Sequence, residues 1–225
     1  MHNPEPLAPP VTCVPAYLDS GLLFLPMTII WGNTIGLRPF EDQLSDDEIA
    51  RVYRWSSDEN ILRWSGGTPT DLTFEEFRER LLNDRGHMPP NRRAFFIVTR
   101  AGELIGRIGC FAIDWKKKEG ELGIVIGEST QWGRGYGRDA VATLLYHLFE
   151  TTSLDRINLF TFPENLRAQR CFIACGFRTI GNARRFSPDI GEFDGIEMEI
   201  TRREFMEANR RTNFQICPTV PKVAK

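Results

Sequence analysis

The stretch that most limits what this chain can fold into is Gly120 to Glu150, where a short apolar run passes through a glycine-rich turn into a long amphipathic segment. Leu122-Gly123-Ile124-Val125-Ile126 reads as a buried strand. Gln131-Trp132-Gly133-Arg134-Gly135-Tyr136-Gly137 then puts a glycine at every second position, where a helix has to begin. Val141, Leu144, Leu145, Leu148 and Phe149 recur at helical spacing, with Thr143, His147 and Glu150 expected on the opposite, solvent-facing side. The first turn of such a helix offers unpaired backbone N–H groups and the positive end of the helix dipole. Glycines let an anion's oxygens approach that backbone, and Arg134 and Arg138 add formal charge. The pattern predicts a phosphate-binding loop, against the plainer alternative of a tight connection.

Spacing excludes two common nucleotide cradles. A P-loop needs Gly-Lys-Ser/Thr at the helix start, and this chain has Gly137-Arg138-Asp139. A dinucleotide fold needs G-x-G-x-x-G, and the third glycine position is Ala140.

The run resembles the pyrophosphate loop of the GNAT superfamily of acetyl-CoA-dependent N-acetyltransferases, whose pattern is Gln/Arg-x-x-Gly-x-Gly/Ala. Gly135 and Gly137 fill the glycine positions, while Trp132 stands at the Gln/Arg position, as it does in the subgroup that acetylates ribosomal-protein N-termini. Asn165-Leu166-Arg167-Ala168-Gln169-Arg170-Cys171-Phe172-Ile173-Ala174-Cys175-Gly176-Phe177 resembles the downstream signature of that family. The resemblance covers Thr34 to Ile200. It implies a mixed α/β domain with the acyl-CoA N-acyltransferase fold. Its central sheet would be mostly antiparallel, splayed between the strand at 121–127 and the strand at 156–162, and flanked by helices.

The resemblance also implies acetyl-CoA as cosubstrate and no metal. Ile124, Val125 and Ile126 would pair with the pantetheine arm. Trp132, Gly133, Arg134, Gly135, Tyr136, Gly137 and Arg138 would hold the pyrophosphate, and Asn165 and Phe172 would complete the cofactor site, unless Asn165 is only a helix cap. Glu121, fourteen residues before Gly135, stands where the histone-acetylating members carry their general base. A salt bridge from Glu121 to the nearby lysines is the competing role, and Glu128 and Asp114 are the other candidate bases. Arg54 to Thr70, with Trp55, Asp58, Glu59, Asn60 and Trp64, corresponds to the family's acceptor wall; alternatively it is a surface loop with its tryptophans in the core.

Phe172 occupies the position of the family's proton-donating tyrosine, and phenylalanine cannot donate. A thiol of pKa near 8.5 is short of a proton by only about 1.5 units at pH 7, roughly 2 kcal/mol, so solvent can supply it. An α-amine of pKa about 7.8 is roughly a tenth neutral at pH 7, whereas deprotonating a lysine-like amine costs about 4 to 5 kcal/mol. An incomplete acid–base set therefore favours a protein or peptide N-terminus, with a polyamine, an aminoglycoside or a catalytically silent acyl-CoA-binding module as alternatives.

The chain has 225 residues, 41% hydrophobic and 26% charged, which suits one domain with a full core. We expect an irregular arm over residues 1–20, a single domain over 21–209 and a mobile tail over 210–225. A net charge of −2 argues against a nucleic-acid partner. The apolar stretch Leu22 to Trp31 is broken by Pro26 and too short to span a bilayer, so no membrane association is expected. Cys13, Cys110, Cys171, Cys175 and Cys217 form no C-x-x-C pair, and their odd number fits a reducing, cytoplasmic setting. Cys171 and Cys175 read as core residues of a helix, and Lys116-Lys117-Lys118 as a solvated turn or a contact for the ribose phosphate. A homodimer remains among the expected assemblies.

Overall fold

The turn at Gly32-Asn33 closes a hairpin between β1 (Ile30–Trp31) and β2 (Ile35–Pro39), with Trp31 opposite Gly36. The structure, a computed structural model, describes residues 28–187 and 191–212. The expected arm, the apolar stretch before residue 28 and the tail beyond Thr212 lie outside the described residues, as do Cys13, Cys217 and His2.

Ser45 opens α1 (Asp46–Trp55) with a capping box: its hydroxyl accepts the Glu48 N–H while the Glu48 carboxylate accepts the Ser45 N–H. Asp58 caps the short α2 (Glu59–Leu62), and Thr73 with Glu76 forms a second box before α3 (Phe74–Gly86). β3 (Arg93–Thr99) turns at Ala101-Gly102 into β4 (Leu104–Asp114), and β5 (Glu119–Ile126) leads to α4 (Tyr136–Thr151). Then follow β6 (Arg156–Thr161), α5 (Leu166–Ala174), β7 (Arg178–Ser187), β8 (Gly191–Thr201) and α6 (Arg202–Thr212). Gly176 ends α5 in a left-handed conformation, with its N–H on the Ile173 carbonyl and that of Phe177 on the Phe172 carbonyl.

One sheet has the strand order β1-β2-β3-β4-β5-β6-β8-β7, and each neighbouring pair is antiparallel except β5 with β6. That parallel pair runs only from Glu119 opposite Arg156 to Leu122 opposite Leu159. β5 continues to Ile126 beside β4, and β6 continues to Thr161 beside β8, so the two strands part as expected. α4 covers one face of the sheet, where Leu144, Leu145, Leu148 and Phe149 pack with Leu37, Ile97, Ile108 and Leu159. On the other face Ile49, Val52 and Trp55 of α1 and Leu81 of α3 pack with Phe96 and Val98.

The buried surface of α4 is wider than its apolar stripe. Thr143, expected in solvent, is fully buried, and its hydroxyl is satisfied by the Asp139 carbonyl at 2.7 Å. His147 is half-buried and meets Phe95 edge-on, with ring centroids 5.7 Å apart. Burial first, and then the charge of Arg93, lowers its pKa. For Thr143 the physical reason is that the β1–β2 turn closes over one flank of the helix, where a Cβ on Gly32 would lie 2.3 Å from Thr143 Oγ1, whereas His147 is covered by β3.

Both ends of α4 are tied. At the first turn the buried Asp139 carboxylate accepts the backbone N–H groups of Asn33 at 3.0 Å, Thr34 at 2.6 Å and Ile35 at 3.0 Å, and the Thr34 hydroxyl at 2.8 Å. At the other end the Arg202 guanidinium donates to the carbonyls of Phe149, Thr152 and Leu154. Asp139→Ala would strand the three N–H groups, at a cost of about 3 kcal/mol or more. We expect a fall in Tm of about 6–12 °C by scanning calorimetry, with Asp139→Asn in between. A fall under about 2 °C would show that the turn finds other partners.

Candidate active site

A short 3₁₀ turn, Ser129–Gln131, follows β5, and Gly133 (φ 77°) and Gly135 (φ 82°) then carry the chain through the left-handed region to the N-cap of α4. A Cβ at either glycine would meet nothing within 4 Å, so the backbone conformation, not crowding within the chain, calls for glycine there. Gly137 is the second residue of α4, at the helix start where the sequence puts it. The first helical hydrogen bond is from Asp139 N–H to the Gly135 carbonyl at 3.0 Å, so the N–H groups of Tyr136, Gly137 and Arg138 have no helical acceptor.

These groups border a cleft of about 330 Å³, walled by Ile124, Val125 and Ile126 on one side and by α5 on the other. Arg138 lines it together with Arg167 and Arg170. The last two were not singled out from sequence, although their three-residue spacing puts them on one flank of α5. Arg134 is exposed at the loop tip, outside the wall. Trp132 is a strut: its indole N–H donates to the Ile126 carbonyl at 2.8 Å, and Arg167 lies 3.7 Å over its ring. The Ile126 carbonyl is thus already engaged. Cys171, expected in the core, is half-buried in the cleft wall, while the Cys175 thiol meets the Arg138 carbonyl at 3.5 Å.

A second cleft opens where β5 and β6 part and shares Ile124, Val125, Trp64, Asn165 and Phe172 with the first. Its floor is the Phe111 ring, laid flat over β4 and β5: a Cβ on Gly109 or on Gly123 would come within 2.9 Å of it. Glu121 stands beside Phe111 in register and lines this cleft. Its carboxylate pairs with Arg185 at 2.9 Å and not with the lysines, and the Arg185 guanidinium lies 4.0 Å over Phe160. Lys117 pairs with Asp114 and Glu119, and Lys118 with Asp155, at the end of β5 away from the glycine loop. The solvated-turn reading of these lysines fits that place.

The other two candidate bases have structural partners. Asp114 accepts the backbone N–H groups of Lys116 and Lys117 at 2.9 and 3.0 Å, and these bonds, with that of Lys117 foremost, hold its pKa down. Glu128 accepts the Trp55 indole N–H at 3.1 Å and faces Arg51 at 3.5 Å. The Arg54–Thr70 segment divides: Trp55 is buried under the sheet and Asp58 is a helix cap, whereas Trp64 lines both clefts. Asn165 caps α5 by accepting the Ala168 N–H at 3.2 Å, and also faces both clefts. Phe172 is buried edge-on to Phe177 at the same junction.

A long helix entered through a left-handed glycine N-cap, beside a parallel pair of strands that part, is the arrangement of the acyl-CoA N-acyltransferase fold. The match of residues 35–178 to the acetyltransferase (GNAT) domain agrees, and the chain belongs to that family. It is 26% identical over 181 residues to p20, an uncharacterised N-acetyltransferase of Bacillus licheniformis, covering 80% of this chain and 99% of that one. It is 25% identical to an aminoglycoside N(6')-acetyltransferase of Serratia marcescens, over 74% of this chain and 85% of the relative. A spermidine N-acetyltransferase of Vibrio cholerae, crystallised with CoA and spermine, shares the fold with a TM-score of 0.64 at 23% identity, covering 76% of this chain and 98% of its own. Among the described residues no helix is long and apolar enough to cross a membrane.

The left-handed N-cap generates a direct test. Gly135→Val forces a β-branched residue into φ 82° and puts a side chain where the phosphate oxygens would approach. Calorimetry should show coenzyme A affinity falling by about tenfold or more, equivalent to at least 1.4 kcal/mol. Unchanged affinity in a folded variant would remove the loop from the cofactor site.

Proposed function

We propose that this protein transfers an acetyl group from acetyl-CoA to a primary amine, most readily the α-amine of a peptide or protein N-terminus. The observation that carries the reading is the junction of the two clefts at Ile124, Val125 and Phe172, which lets a donor held at the glycine loop meet an acceptor beside Glu121. The donor site fits acyl-CoA in kind. Helix N–H groups and Arg138, Arg167 and Arg170 suit the pyrophosphate, and the β5 edge freed beyond Leu122 suits an amide-bearing arm. When bound, acetyl-CoA supplies the acetyl group as an activated thioester.

On the acceptor side Glu121 takes a proton from the ammonium, directly or through a water, while Trp64 and the Phe111 shelf exclude solvent. Its ion pair with Arg185 is about 40% exposed on both sides, so it orients the carboxylate without locking it. Phe172 offers no proton to the leaving thiol, which suits an amine of low pKa. The names of the relatives favour a second reading, a polyamine or aminoglycoside acceptor. Phe172 leaves a third, a silent acyl-CoA-binding module.

Free-thiol release measured across peptide, polyamine and aminoglycoside acceptors separates these readings. Binding of acetyl-CoA with no release from any acceptor would leave only the silent module. Glu121→Gln should lower kcat/KM by about 10²- to 10⁴-fold with donor affinity nearly intact. The loss should shrink as pH rises, because the ammonium then ionises unaided, and an α-amine acceptor should recover by about pH 9. A drop in Tm with little kinetic loss and no recovery at high pH would make Glu121 only a partner for Arg185.

A further inference from the structure

The acceptor cleft contains a charge imbalance that the reaction does not require. Arg92, Arg107 and Glu121 are its ionisable lining residues, and Glu121 is matched by Arg185. Arg107, on β4 opposite Val125, faces into the cleft and is exposed there. Among the described residues its side chain has no hydrogen-bond partner and no acidic partner. Its electrostatic neighbour is Arg92, whose like charge adds to the larger effect of the enclosing protein in lowering the Arg107 pKa. Arg92 lies over the rings of Phe40 and Phe111, at 5.6 and 5.0 Å, and its buried Nε also lacks a hydrogen-bond partner.

Two guanidinium groups in one cleft without a protein counter-charge hold a positive field there that an anionic group would neutralise. Neither residue lines the glycine-loop cleft, so the phosphates proposed to bind there would not supply that anion. Polycationic amines would be repelled by the same pair.

We infer that the acceptor carries a carboxylate near its reactive amine, and that Arg107, steered by Arg92, binds that carboxylate through its free guanidinium edge. The acceptor class is thus an acidic peptide N-terminus or a free amino acid, not a polyamine. This rests on the acetyl-transfer reading of the same cleft. Arg107 is a specificity residue, and its partner-free guanidinium makes it dispensable for folding. The two arginines also discourage protonation of an amine beside them, which assists Glu121.

The test is thiol release with peptides that differ only at the second residue, Asp, Asn or Lys, together with free aspartate and spermidine. In the wild type kcat/KM should be about 10- to 100-fold higher for the Asp peptide than for the Lys peptide, the difference expressed mainly in KM. Free aspartate accepted as well as the Asp peptide would identify an amino acid acceptor; rejection of aspartate would identify a peptide. In Arg107→Gln the Asp-to-Lys ratio should collapse towards one and in Arg107→Glu it should invert, with Tm unchanged or higher and calorimetric CoA affinity unaltered. A wild type that prefers spermidine or shows no charge preference overturns the inference and leaves acetyl transfer standing. The same holds if Arg107→Gln lowers every acceptor equally, since the ratio would then be preserved. No release from any acceptor overturns both.

Discussion

The Asp139 carboxylate is the constraint on which the rest of the site depends. It sits one residue beyond the three free N–H groups of α4 and accepts from three successive N–H groups of the β1–β2 turn. Helix, loop and first hairpin are thereby fixed in one geometry. A carboxylate in the first turn and a guanidinium on the last carbonyls also complement the helix dipole at both ends. Asp139 faces the hairpin and Arg138 the cleft, so the negative charge that anchors the helix does not oppose the anion expected at its tip.

The two clefts use different chemistry on one edge of β5. At the loop end, backbone donors and exposed arginines fit a ligand of high charge. Further along, an aromatic shelf made possible by Gly109 and Gly123 carries a carboxylate held by Arg185 and an arginine, Arg92, held by rings. Rings hold a guanidinium in place without neutralising it, so Arg92 keeps its field in the cleft.

Much of the fold was legible in the sequence because its signals are local. Capping boxes at Ser45, Thr73 and Thr201, the glycines before α4 and the αL stop at Gly176 each lie within a few residues of what they determine. The parting of β5 from β6 was reached through resemblance, since no single strand encodes it. Pairs far apart in sequence were out of reach. Asp139 with Ile35, Glu121 with Arg185, and Trp55 with Glu128 are separated by 104, 64 and 73 residues, and each redefined what a residue does. Thr143 was misplaced for the same reason: periodicity predicts one buried face, whereas the β1–β2 turn covers a second. Arg167 and Arg170 stood in a quoted motif, but only the folded α5 aims them at the cleft.

The short β5–β6 seam affects how the molecule comes apart. On one side lie β1 to β5, each joined to its sequence neighbour, and on the other β6, β7 and β8 form a separate antiparallel ladder. The ladder bonds that join these halves span only Glu119–Leu122 and Arg156–Leu159, with α4 as the crossover between them. Such a boundary divides a protein into units that open semi-independently in amide exchange. A molecule seated in the gap would touch both units, and its binding energy would then add to the cohesion of the two halves. Catalytic turnover and the mechanical unity of the sheet would then be coupled: each release of product would return the protein to its more divisible state.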